Sequence, residues 1–463
     1  MAMLMAAKIP QRVHLVGVGG AHMSAIARIL LARGHEVSGS DQKVSATTVQ
    51  LEEQGLRFEL GHEPAHARNA ELVVYTVAVP ADNPELGAAR GSGIEVITRA
   101  QMVSRLLEGL RLIAISGAHG KTTTSSLVAY LLKSCGMSPT YLVGGDSDVL
   151  AGNAAAGDGE WAVVEADEYG RAFLEYEPEI AVVTNVEADH LDYYGDYDSL
   201  KAAFRQFLER VQPDGVIIAA TGSDGLDDVL DKARPSARIL RYGANGAATW
   251  KGSKLTSEGG LQTFRLMGEG QDYGSFTTAL PGLHNVWNAV GGLAAAIKSG
   301  ADLEIMRSAL PHFTGARRRF ELIGEAQGIS IYDDYAHHPT EIAVNVQAAR
   351  DRFPGRRLVV LFQPHTYSRT RYLLDQFRTC FQGIDRLFIL ETFAAREAIA
   401  EGIEASALAE AVTTPQATYL PTHERALEAL TGELHSGDVF FTMGAGDVDK
   451  IGPDLLKRLG GEA

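Results

Sequence analysis

The chain has 463 residues, a formal net charge of −16, and 45% hydrophobic and 22% charged residues, a length that exceeds one hydrophobic core and predicts about three domains. The acidic balance opposes a nucleic-acid partner, which needs a basic footprint, and with Cys135 and Cys380 as the only cysteines there is neither a disulfide framework nor a cysteine metal knot. Met1 to Pro10 lacks the apolar core of a signal peptide or membrane span, so a reducing cytoplasm and no membrane partner are expected. The same charge does not exclude an anionic nucleotide. The overall field is screened beyond about 8 Å in physiological salt, whereas a lysine about 4 Å from a phosphate is worth roughly 4 kcal/mol at an effective dielectric constant of about 20.

In chain order, Arg12 to Val16 reads as a strand and Gly17-Val18-Gly19-Gly20 as a turn. Met23, Ile26, Ala27 and Leu30 follow at helical spacing, and the helix ends at Gly34. His35 to Ser38 is a second strand, closed by Gly39-Ser40-Asp41. The unit looks Rossmann-like but carries Gly-x-Gly-Gly, without the third glycine of the dinucleotide fingerprint. It reads either as a turn with no ligand or as a diphosphate site in which Gly17, Gly19 and Gly20 hold the phosphates and Ser40 and Asp41 lie beside a ribose or base. Leu72 to Val79 and Ile94 to Ile97 are further strands, and Gln101 to Leu107 leads into a second domain.

Arg111 to Gly136 organises the rest. Leu112 to Ser116 is a buried strand, Gly117-Ala118-His119-Gly120 a turn, and Lys121-Thr122-Thr123-Thr124 opens a helix marked by Leu127, Val128, Leu131 and Leu132. Glycines that turn N–H groups inward, a helix N-terminus and a lysine together suit a triphosphate, and the Thr122 hydroxyl suits Mg²⁺. The strict phosphate-loop pattern has four residues between its first glycine and Gly-Lys, and this chain has two. Trp161 to Val164 is a strand ending in Glu165-Ala166-Asp167-Glu168, and Ile180 to Thr184 one that runs into Glu187-Ala188-Asp189-His190. Two acidic runs at strand ends make an oxygen-rich site with one imidazole, suited to Mg²⁺ and poor in soft ligands for zinc.

Val211 to Gly274 is glycine-rich and is expected to form small strands and turns. Leu280 to Ala289 starts an Ala- and Gly-rich helix carrying Asn285 and Asn288 on one face. Arg317-Arg318-Arg319 is a short basic run at the boundary of a third domain. There, strands Ile329 to Tyr332, Leu358 to Phe362, Leu387 to Leu390 and Val439 to Met443 each lead into a polar loop, and in an open α/β sheet ligands sit beyond such strand ends. His337 and His338 follow the first of these strands, and Arg369 the second.

Taken together, the Gly17–Gly20 turn, Ser38 to Asp41, the Gly-Lys-Thr-Thr loop, Glu165 to Glu168, Glu187 to His190, His284-Asn285, Arg317 to Arg319, Asp333 to Glu341, Phe362 to Thr370 and Gly444 to Asp447 resemble the Mur ligase family over essentially the whole chain. The resemblance implies an α/β protein of three domains: a Rossmann-like UDP-sugar domain (1–109), a central P-loop ATPase-like domain with a mixed, mainly parallel sheet (110–316) and a Rossmann-like amino-acid domain (317–463). It implies ATP-dependent joining of L-alanine to the carboxylate of UDP-N-acetylmuramate through an acyl phosphate, by a monomer or homodimer.

By the same resemblance, Gly117, His119, Gly120, Lys121, Thr122, Thr123 and Asn285 hold ATP, and Thr122, Glu165 and His190 hold Mg²⁺. Lys121, His190 and Arg318 or Arg319 serve the transferred phosphoryl group, and His337 and Arg369 receive the amino acid. Other readings are a ligase for a recycled tripeptide, a nicotinamide-dependent oxidoreductase and a non-catalytic nucleotide-binding regulator. The oxidoreductase leaves the Gly-Lys-Thr-Thr loop and both acidic runs unexplained.

Overall fold

Short apolar runs, too short for helices and bounded by glycines and polar residues, become strands buried on both faces, as parallel sheets require. The computed structural model describes residues 9–76, 79–244, 246, 248–395, 397 and 402–460. Three sheets result. The first contains Arg12–Val16 (β1), Glu36–Asp41 (β2), Arg57–Leu60 (β3), Leu72–Tyr75 (β4) and Glu95–Thr98 (β5), all parallel in the order β3-β2-β1-β4-β5. The order reverses at β1, so the Gly17–Gly20 turn sits at a topological switch point, where open sheets bind ligands. The expected strand from Leu72 to Val79 ends at Tyr75, and Val77 and Ala78 lie outside the described residues.

The second sheet contains Arg111–Ser116 (β6), Thr140–Leu142 (β7), Ala154–Ala155 (β8), Trp161–Glu165 (β9), Ile180–Val183 (β10), Val216–Ala220 (β11), Arg238–Gly243 (β12), Trp250–Glu258 (β13), Leu261–Gly268 (β14) and Gln271–Thr278 (β15). Its order is β15-β14-β13-β12-β11-β10-β6-β9-β7-β8. The strand before the phosphate loop, β6, pairs in parallel with both β9 and β10. Parallel neighbours end at one edge, so the two acidic runs flank the glycine loop. Val211 to Gly274, expected as small strands and turns, also holds a helix at Asp224–Lys232, capped by Ser223 and buried through Leu226 and Val229.

The third sheet contains Glu321–Ala326 (β16), Ile329–Asp334 (β17), Leu358–Phe362 (β18), Arg386–Leu390 (β19), Ala417–Leu420 (β20) and Val439–Met443 (β21), in the order β16-β17-β21-β18-β19-β20. Only β16 is antiparallel to its neighbour. Two apolar clusters, one including Phe362, Phe377 and Phe381 and the other Phe388, Phe440 and Leu455, make up its core.

The described residues divide into two compact units. One is drawn from Met1–Thr256, Thr263–Ala279 and Trp287–Thr314 and carries the five- and ten-stranded sheets; the other is drawn from Ser257–Gln262, Leu280–Val286 and Gly315–Ala463 and carries the six-stranded sheet. Among the described residues no helix is long and apolar enough to cross a membrane.

Candidate active site

The glycine loop after β6 owes its shape to two residues after β10. Thr184 Oγ1 and Asn185 Nδ2 donate to the His119 carbonyl at 2.5 and 3.0 Å, and the His119 N–H donates to Asn185 Oδ1 at 2.9 Å. Gly117 adopts φ +136°, and a Cβ there would strike Thr184 Oγ1 and lie 3.0 Å from the Asn185 backbone. Gly120 is left-handed at φ +80° and caps the Lys121–Ser134 helix without a side chain; a Cβ there would come within 2.6 Å of Asn288 Oδ1. The first turn of that helix, with Thr122 and Thr123 buried in it, carries the N–H groups that suit an anion.

Lys121 Nζ donates to the Gly117 carbonyl at 2.5 Å, the Ala118 carbonyl at 3.2 Å and Glu168 Oε1 at 3.0 Å. Burial alone would lower its pKa, but Glu168, Asp167 and Glu165 outweigh burial and hold the ammonium above its ordinary range. The charge is fixed at neutral pH. Glu165, at the end of β9, accepts from the Gly144 N–H at 2.8 Å, and Asp167 accepts from Arg99 Nη2 at 3.1 Å and the Tyr169 N–H at 3.0 Å. Burial works to raise the Asp167 pKa, yet Arg99, His22, Lys121 and His190 keep it below the usual carboxylate range. His190, left-handed at φ 55°, places Nε2 3.7 Å from Glu168 Oε1. The acidic loop is anchored from below. Phe173 stacks on Phe207 at 4.9 Å and meets Phe204 edge-on, and Tyr194 Oη donates to the Glu168 carbonyl at 2.6 Å. Each buried phenyl ring contributes roughly 1.5–3 kcal/mol.

The candidate donors for a divalent metal, the Thr122 hydroxyl and the Glu165 carboxylate, are buried, and Glu168 Oε2 is a buried oxygen with no hydrogen-bond partner among the described residues. Hard oxygen donors beside a phosphate loop fit Mg²⁺. The first sheet brings its own turn to the same unit. The Gly17 and Val18 N–H groups donate to the Ser40 carbonyl at 2.8 and 3.0 Å, and the Gly19 N–H to Asp41 Oδ2 at 2.9 Å. Ser40 is fully buried and its hydroxyl donates to Glu85 at 2.7 Å. All four N–H groups of the turn are thus committed, that of Gly20 to the Gly17 carbonyl at 3.3 Å. Gly20 caps the Ala21–Ala32 helix with no side-chain bond, so the first-turn N–H groups of that helix are the feature here suited to an anion.

In the second unit, Arg318 is enclosed. Its Nε donates to Asp333 Oδ2 at 2.9 Å, and its two Nη atoms donate to the Gly446 and Gly444 carbonyls at 3.1 and 2.7 Å. Arg319 places Nη1 3.7 Å from Glu341 Oε1 and its guanidinium 5.1 Å from the centre of the Tyr335 ring. His337 and Arg369 are brought together through His365, whose ring lies 5.8 Å from that of His337 and whose carbonyl accepts from Arg369 at 2.6 Å. Asn285 is buried, donating to the Pro281 carbonyl at 2.7 Å. Sequence reasoning left out Thr184, Asn185 and Glu168 as shapers of the phosphate loop. Their signal was position, within three residues of the ends of strands that neighbour β6.

Three family models match the chain in succession: the Mur ligase family catalytic domain over residues 12–111, the Mur ligase middle domain over 115–296 and the Mur ligase glutamate ligase domain over 318–446. In sequence the chain is similar to the UDP-N-acetylmuramate–L-alanine ligase of Symbiobacterium thermophilum, 41% identical over 459 residues, 97% of this chain and 95% of that one. In structure it is similar to the UDP-N-acetylmuramate-alanine ligase of Thermotoga maritima, with a TM-score of 0.83, 26% identity and coverage of 97% of this chain and 99% of that one. A murein peptide ligase of Psychrobacter arcticus is similar at a TM-score of 0.74 and 26% identity, covering 98% of this chain and 100% of that one.

Proposed function

The chain belongs to the Mur ligase family, and from that premise we propose that it joins L-alanine to the carboxylate of UDP-N-acetylmuramate while ATP is cleaved to ADP and phosphate. The sugar carboxylate attacks the γ-phosphorus, ADP leaves, and the acyl phosphate is then attacked by the alanine amine, which releases inorganic phosphate as the amide forms. The first step brings two anions together, so its barrier is set by how well their repulsion is offset.

On this reading residues 1–109 hold the UDP-sugar, 110–316 the ATP and 317–463 the amino acid. Lys121 turns its fixed charge from Glu168 to the phosphates, and the N–H groups at the start of the Lys121–Ser134 helix cradle them. Thr122, Glu165 and His190 would hold Mg²⁺, which when bound supplies neutralising charge to the phosphate oxygens. Because Arg318 is occupied by Asp333 and two carbonyls, we assign it to shaping the second unit and Arg319 to the phosphoryl group. Arg369, beside His365 and His337, meets the amino-acid carboxylate, a pairing suited to a guanidinium. A cytoplasmic location, where ATP is supplied, accords with this chemistry.

The observation that carries the reading is the single sheet edge on which the glycine loop of β6 stands between the acidic runs of β9 and β10, in a chain that matches alanine ligases along its length. Phosphate release with ATP, Mg²⁺ and UDP-N-acetylmuramate, with each acceptor supplied alone, tests it. Release is expected with L-alanine. Release with a tripeptide and not with L-alanine would replace this reading with peptide recycling.

A further inference from the structure

His22 stands where the first sheet's phosphate-binding turn meets the ATP-binding sheet. It is the second residue past Gly20, and the residue before it is fixed from the other sheet: Asn153 Nδ2 donates to the Ala21 carbonyl at 2.7 Å, while Asn153 Oδ1 accepts from Arg28 Nη1. Arg99 reaches across in the same way to Asp167 at 3.1 Å. The charged groups that act on the His22 imidazole are Arg99, Asp167, Glu165 and Lys121.

Each of those groups already has a partner. Lys121 is bonded to Glu168, Asp167 to Arg99, and Glu165 to the Gly144 N–H. His22 Nε2, by contrast, is shielded from solvent and has no hydrogen-bond partner among the described residues. A buried polar atom left unmatched costs roughly 1–3 kcal/mol, a cost removed when negative charge develops on a substrate oxygen opposite it.

We propose that His22 is a further substrate-contacting residue of the ligation reaction, its Nε2–H donating to the sugar carbonyl oxygen as the alanine amine attacks the acyl phosphate and that oxygen takes up negative charge. The inference rests on the ligase reading above. Its chemistry fits the place. Burial, reinforced by Arg99, lowers the imidazole pKa from its ordinary value, so the ring is neutral and donates without adding a charge to a centre that already holds Lys121 and Arg99. One donor to an oxygen on which negative charge develops during reaction is worth about 10²–10³ in rate.

The test compares the wild type with His22→Ala and His22→Gln, whose amide nitrogen can stand in for Nε2. Binding of UDP-N-acetylmuramate and of ATP is measured by calorimetry, turnover by alanine-dependent phosphate release, and folding by thermal denaturation. The expected result is that His22→Ala keeps both affinities and the melting temperature but loses about 10²-fold in kcat, and that His22→Gln recovers most of the loss. An active wild type with His22→Ala turning over within about threefold of it would overturn the inference alone, as would equal loss in both variants accompanied by a fallen melting temperature. A wild type with no alanine-dependent release would overturn the ligase reading and this inference together.

Discussion

Glu85 is a fully buried carboxylate surrounded by three histidines. His66 Nδ1 lies 2.8 Å from one oxygen, and the other meets Ser40 Oγ at 2.7 Å, His62 Nδ1 at 3.4 Å and His14 Nε2 at 3.6 Å. Burial works to raise its pKa, but His14, Ser40 and His66 outweigh burial and hold it at about 2, against an ordinary 4.5. A carboxylate with a depressed folded-state pKa stabilises the fold fully above its unfolded value, and that stability is lost as pH falls through the folded value. The gap corresponds to about 3 kcal/mol, lost between pH 4.5 and about 2. In denaturant titrations at a series of pH values, the stability difference between wild type and Glu85→Gln should be about 3 kcal/mol near neutrality and vanish near the lower limit; a difference independent of pH would contradict the assignment. Ser40 shows what a motif hides. Its place after the second strand suggested a ligand contact, but its hydroxyl serves a residue 45 positions away that no local spacing reveals. The place of Lys121 at a helix start was legible from its neighbours in sequence, whereas its partner Glu168 depends on which strands are adjacent.

The phosphate loop is an element whose backbone can be tested directly. Gly117→Ala places a methyl group against Thr184 and Asn185 at a φ that L-residues avoid, which should cost about 1–3 kcal/mol of stability. Because Thr184 and Asn185 hold the His119 carbonyl, the displaced loop should also raise the KM for ATP by about tenfold or more, equivalent to about 1.4 kcal/mol. Gly34→Ala is the control: its φ is also positive, at +81°, but nothing lies within 4 Å of the added carbon, so stability should fall while the KM for ATP stays put. An unchanged ATP KM in Gly117→Ala would separate this loop from nucleotide binding. The strand, glycines, lysine and helix of this element could be read in order from the sequence. The Asp224–Lys232 helix could not, because Leu226 and Val229 alone face its core and the surrounding glycines suggested turns. Asn285 and Asn288 were equivalent in sequence, three residues apart on one helical face. The structure distinguishes them, bringing Asn288 to Gly120 and bonding Asn285 to the Pro281 carbonyl.

At the scale of the molecule, three sheets of mainly parallel strands were foreseeable, because strand–loop alternation and buried apolar runs report parallel topology. The order of strands within each sheet was not, and that order puts β9 and β10 on either side of β6, creating the acidic site. The net charge of −16 does not set the local field at the glycine loop, where Lys121 and a helix N-terminus stand beside Glu165, Asp167 and Glu168. The central claim is that this site activates a carboxylate as an acyl phosphate. UDP-N-acetylmuramate carrying a heavy oxygen isotope in both carboxylate oxygens, incubated with ATP, Mg²⁺ and L-alanine, tests it most directly. The account predicts that each phosphate released carries one heavy oxygen and that the new amide keeps the other. Unlabelled phosphate, with both heavy oxygens retained by the sugar, would contradict it.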